Sequence, residues 1–321
     1  MADKIESRPY KANLEVYSET LQKLAEKDRD IIAVTSDSRG SGKLVPFGQK
    51  YPDQIIEVGI AEQNLVGVAA GLASCGKKVF ATSPACFLSA RSLEQIKNDV
   101  AYSDNPVNLI GISAGVSYGA LGTTHHSLHD YAVLRAVHNI MIVAPADNYE
   151  TEQAIIQAAE AEFPVYLRFG KKAMPYLKKE DNAAPFNLGK GRVITEGEDA
   201  VIIACGETVQ PAVEAAAILA NENISATVIS MHTVKPLDNE LLSKWVQNSK
   251  VVITVEEHSV NGGLGEACAS YLLQHGLFKP FKILGIPDEY TVTGSQTEIF
   301  KHYGLTRDGI ADEVRNLLNF A

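Results

Sequence analysis

The chain has 321 residues, 45% apolar and 21% charged, a composition typical of folded globular proteins and long enough for two cores of about 150 residues each. A formal net charge of -10, with no cluster of lysines and arginines, argues against nucleic acid and anionic membrane as partners. No apolar run approaches the roughly 20 residues of a membrane span, and the polar start MADKIESRPYKANLE lacks the apolar centre of a signal peptide, so cytoplasm is the expected location.

Taken in order, strand-like apolar runs alternate with helical periodicity throughout. Leu14, Tyr17, Leu21 and Leu24 repeat at helical spacing, and IIAVTSD (31–37) then reads as a buried strand. IIEVGI (55–60) is a second strand, followed by a small-residue helix from Ala61 to about Cys75. KVFATS, VNLIGIS, NIMIVAPA and PVYLRFG are further strands, with SLEQIKNDVAY, HSLHDYAVLRAV and NYETEQAIIQAAEAE as the helices between them. The alternation stops from Lys178 to Lys190, where KKEDNAAPFNLGK is polar and carries Pro and Gly, the expected linker. It restarts with DAVIIACG, SATVISMHTV, KVVITVEE and FKILGIPD. Continuous apolar strands separated by helices imply two α/β domains, 1–180 and 188–321, each a mostly parallel sheet flanked by helices.

The four cysteines form no CxxC pair and no metal-ligand spacing, and are expected to be reduced and buried. Neither GxGxxG after a first strand nor GxxxxGK[ST] occurs. In VNGGLGEA (260–267) the glycines are expected to make a tight turn that packs a helix on the sheet, in preference to a phosphate cradle.

Open α/β sheets bind ligands where strand ends meet helix starts, so those junctions are the places to look for chemistry. Glu62 follows a strand and opens a helix; helix-dipole capping and a desolvated functional carboxyl are equally open readings. His125, His126, His129 and Asp130 lie within a span of six residues, at a glycine-rich loop leading into a helix, which suits proton transfer by at least one histidine. A metal site there is disfavoured, because the i, i+4 histidines lack the Glu of HExxH. Arg168 ends a strand, where its guanidinium would serve either an anionic substrate group or a salt bridge.

At these residues the chain resembles, over essentially its whole length, the pyrimidine-binding and C-terminal domains of the transketolase family in its split form. GIAEQN, GTTHHSLHD, APADNYET and EEHSVNGGLGEA carry the likeness. It implies that Glu62 hydrogen-bonds the aminopyrimidine of thiamine diphosphate and favours the imino tautomer that takes the thiazolium proton. It further implies that Phe87 packs on that ring and that Asp37 lies near the cofactor and dimer interface. His125 would contact substrate and shuttle protons, and Arg168, Ser41 and Arg39 would lie near the anionic end of the sugar. No GDG occurs, so the diphosphate and Mg²⁺ ligands are expected from a separate N-terminal subunit, in a heterotetramer with two copies of each chain. Leu14, Ser113 and Leu121 stand where transketolases carry an arginine, a histidine and an acid for the sugar. That points to a non-standard donor, such as a branched-sugar phosphate or a sulfo-ketose, with a small sugar as acceptor. The competing readings are a 2-oxoacid dehydrogenase β subunit, a deoxyxylulose phosphate synthase fragment and a non-catalytic module.

Overall fold

The computed structural model describes residues 10–177 and 185–320; part of the expected linker, 178–184, lies outside the described residues. Among the described residues fourteen strands follow in chain order: β1 (Lys11–Ala12), β2 (Ile31–Thr35), β3 (Ile55–Glu57), β4 (Lys78–Pro84), β5 (Val107–Ile112), β6 (Met141–Val143), β7 (Val165–Arg168) and β8 (Ala173–Met174), then β9 (Arg192–Thr195), β10 (Ala200–Ala204), β11 (Ala226–Ser230), β12 (Thr233–Lys235), β13 (Val251–Ser259) and β14 (Phe281–Ile286).

They build two main sheets. One has seven strands in the order β12-β6-β7-β5-β4-β2-β3, and the other has five in the order β14-β13-β10-β11-β9. In the first, every pairing is parallel except β12 with β6; in the second, only β9 with β11 is antiparallel. β2, β5 and β10 are buried at every residue, as strands covered by helices on both faces must be. The expected helices are present. One, Asn13–Ala25, buries Leu14, Tyr17 and Leu21, and another, Asn148–Ala159, starts where the Asp147 side chain accepts from the Glu150 amide.

Three features depart from the sequence expectations. SATVISMHTV is two strands: β12 leaves the second half of the chain and adds an antiparallel edge to the first sheet, so the two units interlock. The strand expected over 55–60 is only Ile55–Glu57, an edge strand on which Glu57 is exposed, and Ile60 beyond it is 74% exposed. Cys75 is exposed, whereas Cys86, Cys205 and Cys268 are buried. Among the described residues no helix is long and apolar enough to cross a membrane.

Successive connections from β2 and β4 run to opposite sides of the first sheet, because β3 lies beyond β2 and β5 beyond β4. The crevice at their carboxyl ends is therefore the topological switch point, where ligands of open sheets bind. Ser36 and Ser38 from the β2 end hydrogen-bond Ser83 and the Thr82 carbonyl of β4, stitching its floor.

Candidate active site

Glu62 begins the helix Glu62–Ser74 and is 4% exposed. Its carboxylate borders a cleft of about 600 Å³ lined by Ile60, Ala61, Gln63, Asn64 and Arg91. These surroundings are more polar than the apolar run around Glu62 suggests. Arg91 Nη1 donates to both carboxylate oxygens at 3.0 Å, and its guanidinium lies 4.3 Å from the centre of the Phe87 ring. Phe87 and Arg91 sit one turn apart on the helix Ala85–Arg91 that follows β4, so both reach the same side of the crevice.

The loop after β5 completes the group. His125 is half-buried, edge-on to both Phe87 and Tyr118 at centroid distances of 5.4 Å, with Thr124 Oγ1 2.9 Å from Nδ1. The three histidines do not share a centre. His126 is buried with Nε2 2.9 Å from the Gly119 carbonyl, and burial holds its pKa below the usual histidine value. His129 Nε2 lies 3.2 Å from Ser89 Oγ. Among the described residues no group of three His, Cys, Asp or Glu side chains could hold a metal ion.

Arg168 is not at this surface. It is buried, with Nε on Asp130 at 2.8 Å, Nη2 on the Ser127 and Glu257 carbonyls at 3.2 and 2.8 Å, and Nη1 4.0 Å from the Glu257 carboxylate. Burial pulls the Asp130 pKa up, but Arg168 and then His258 outweigh it and hold the carboxyl below its ordinary range. With all three nitrogens facing protein acceptors, Arg168 serves the salt bridge and is spent inside the protein, away from any substrate anion. An exposed cation at this strand end is Lys171, whose ammonium lies 4.1 Å over the Tyr118 ring that flanks His125. Although the side chain as a whole is exposed, partial desolvation of its ammonium, and then the charge of nearby Lys43, hold its pKa below the ordinary lysine value. The sequence signal was the KK pair just past the strand in PVYLRFGKK.

The remaining candidates lie on the loop after β2. Asp37 is exposed, and its left-handed backbone (φ 51°) lets its amide reach Glu57 Oε1 at 2.6 Å. Arg39 pairs with Glu57 at 3.5 Å, and Ser41 is exposed. None of these contacts joins the Phe87–His125 group. Leu14 is a core residue at 2% exposure, whereas Leu121 is 54% exposed on the histidine loop. In VNGGLGEA the helix start is occupied from within, because Glu256 accepts from the Leu264 and Gly265 amides at 2.7 and 2.8 Å. That leaves no anion cradle there.

A planar, N–H-bearing group, Arg91, thus already bridges the Glu62 carboxylate and the Phe87 face. The same two surfaces fit an aminopyrimidine ring, which needs a carboxylate at a ring nitrogen and an aromatic wall. Comparison with known proteins agrees. Residues 11–176 match the family "Transketolase, pyrimidine binding domain", and residues 189–310 match "Transketolase, C-terminal domain". The chain belongs to the transketolase family. It is similar to one of the subunits of the apulose-4-phosphate transketolase of Phocaeicola vulgatus, 48% identical over 92% of this chain and 93% of that one. It is also similar to "Putative transketolase C-terminal section" of Methanocaldococcus jannaschii, at 38% identity over 95% of this chain and 96% of that one. A solved structure described as "Split gene transketolase, inactive beta4 tetramer" superposes with a TM-score of 0.86 at 34% identity, covering 97% of this chain and 99% of that one. The chain is a subunit of the split transketolase type, and its family depends on thiamine diphosphate.

Proposed function

We propose that this chain is the small subunit of a split transketolase that transfers a two-carbon ketol unit from a phosphorylated ketose to an aldose. Its partner is a diphosphate-binding N-terminal subunit, in a cytoplasmic assembly of two copies of each. The observation that carries the reading is the buried Glu62 carboxylate facing a cleft beside the Phe87 ring. Bound there, thiamine diphosphate would supply the nucleophilic carbon that accepts the ketol unit. Glu62 would accept a hydrogen bond from the pyrimidine and fix its tautomer, and Phe87 would hold the ring flat. His125, half-buried beside Phe87, would move a proton at the substrate hydroxyl. Mg²⁺ and the diphosphate would be held by the partner. Asp37 would lie towards that partner.

Lys171, with Lys43 beside it, would receive the anionic end of the sugar, with Ser41 and Arg39 further out on the same rim. The exposed Leu121 offers no hydrogen bond where an acid is expected, which supports a donor unlike the usual ketose phosphates. Since the relative from Phocaeicola vulgatus is described as a transketolase of apulose 4-phosphate, that compound is the first donor to assay. Co-expression with the partner, followed by glyceraldehyde and ketose donors, tests the reading. Glu62→Gln should fold normally and lose turnover at least a thousandfold; near-normal turnover in that variant would refute the role of Glu62.

A further inference from the structure

The second half of the chain contributes none of Glu62, Phe87, His125 or Lys171, yet it reaches into the loop that carries His125. Glu257, at the carboxyl end of β13, is 2% exposed and accepts from the Val116 amide through Oε1 at 2.9 Å. Gly115 makes room for it: its φ is +60°, and a Cβ there would stand 2.2 Å from Glu257 Cδ. The loop is then closed behind the carboxylate, because the Ser127 amide donates to the Gly115 carbonyl at 2.8 Å. Arg168 Nη2 ties the Ser127 carbonyl to the Glu257 carbonyl.

The far side of Glu257 is also held. Gln296 Nε2 donates to Glu257 Oε1 at 2.8 Å and to Glu207 Oε2 at 2.6 Å. The segment just before Gln296 backs the loop further along, since a Cβ on Gly119 would meet the Gly294 carbonyl at 2.6 Å and one on Gly122 would meet Thr293 Cγ2 at 3.0 Å. The loop is wound around one buried carboxylate and leans on one neighbouring turn, both from the C-terminal half.

We propose that Glu257, braced by Gln296, is a positioning residue for the transferase reaction: it holds the loop 113–127 so that His125 stands beside Phe87. This rests on the role of His125 given above. It assigns the C-terminal half a mechanical part in the active site without a catalytic group of its own. A leucine at 257 keeps the volume and removes the acceptor, whereas glutamine keeps an acceptor for Val116. Three variants therefore separate the clamp from general stability.

Hydrogen exchange of the full chain, read by mass spectrometry, should rise at least tenfold in the peptide 113–127 of Glu257→Leu. Exchange in β2 and β10 should stay unchanged, and Glu257→Gln should retain most of the protection. Gln296→Ala, at the half-exposed edge, should give a smaller rise and covers the case in which Glu257→Leu does not fold. Assembled with the partner subunit, Glu257→Leu should lower kcat at least tenfold with a much smaller change in donor KM and in thiamine diphosphate affinity. Unchanged exchange in that loop overturns the clamp, and raised exchange with normal kcat overturns the positioning role. Full activity of Glu62→Gln would instead overturn the functional reading and leave the exchange result standing, so the two failures are distinguishable.

Discussion

Replacing Glu207 by glutamine should flatten the alkaline side of the stability curve. Glu207 is buried in the seam between the two halves and meets Gln296 through Oε2, while Glu257 lies on the other side of that amide. Burial first, and then the Glu257 charge, push its pKa up to about 8, against the pull of Gln296 and Lys172. A carboxyl whose pKa is higher folded than unfolded contributes stability that is complete below the unfolded value and is lost as pH rises through the folded one. The window here runs from about 4.5 to about 8. At roughly 1.4 kcal/mol per pH unit, the wild type should give up on the order of 4 kcal/mol between pH 5 and 8 through this group. Glutamine copies the protonated shape and has no proton to lose. Glu256 and Asp147, each with a pKa pushed by burial to about 7, titrate in both proteins and cancel in the comparison. Glu257, whose carboxyl burial also pushes up, instead titrates jointly with Glu207 and is relieved by the same substitution, so the measured difference belongs to the pair. Urea unfolding at pH 5 and pH 8.5, followed by circular dichroism and extrapolated linearly, measures the difference. The two proteins should match within about 1 kcal/mol at pH 5, with Glu207→Gln ahead by roughly 2–4 kcal/mol at pH 8.5. Parallel loss of stability in both would refute the reasoning, because the Glu207 proton would then play no part.

Lys171→Ala should raise KM for a phosphorylated donor at least tenfold and leave the melting temperature nearly unchanged. Arg168→Ala should instead strand Asp130 and the Glu257 carboxylate in the interior at a cost of about 3–5 kcal/mol, visible as a large fall in melting temperature. A normally stable Arg168→Ala that lost only donor affinity would reverse the two assignments. Arg91→Ala should free the Glu62 carboxylate and the Phe87 face, so isothermal titration of the chain alone with thiamine should show several-fold tighter binding. Weaker binding would mean that Arg91 is itself a ligand of the ring.

Much of the architecture was legible in the chain because burial on both faces of a parallel strand favours apolar runs, such as IIAV in β2, AVIIA in β10 and the VVI that opens β13. β12 was not legible. Three residues of TVK follow closely on β11, and nothing local says that they pair with Met141–Val143 of the other sheet. Glu62 and the loop of His125, His126 and His129 could be picked out because each follows a strand end, where this kind of sheet gathers its chemistry, whereas Phe87 and the choice of His125 came only from the family resemblance. Within PVYLRFGKK the choice of cation was beyond sequence. Arg168 and Lys171 are three residues apart, and only the packing of β7 against Asp130 and Glu257 decides that the first is consumed inside and the second reaches the surface.

By itself the sequence determined the strand–helix alternation, the absence of a diphosphate-binding motif, and a helix-starting carboxylate at Glu62, all properties of short segments. Only the tertiary structure decided what those groups meet: Arg91 across Glu62, Lys171 beside Tyr118, and Glu257 inside the histidine loop. These contacts join residues separated by 29, 53 and 141 positions, or by a domain boundary, and no local pattern encodes such distances. The physical reason is that side-chain charge and hydrogen bonding are satisfied wherever the folded chain brings a partner, and burial makes that partner obligatory.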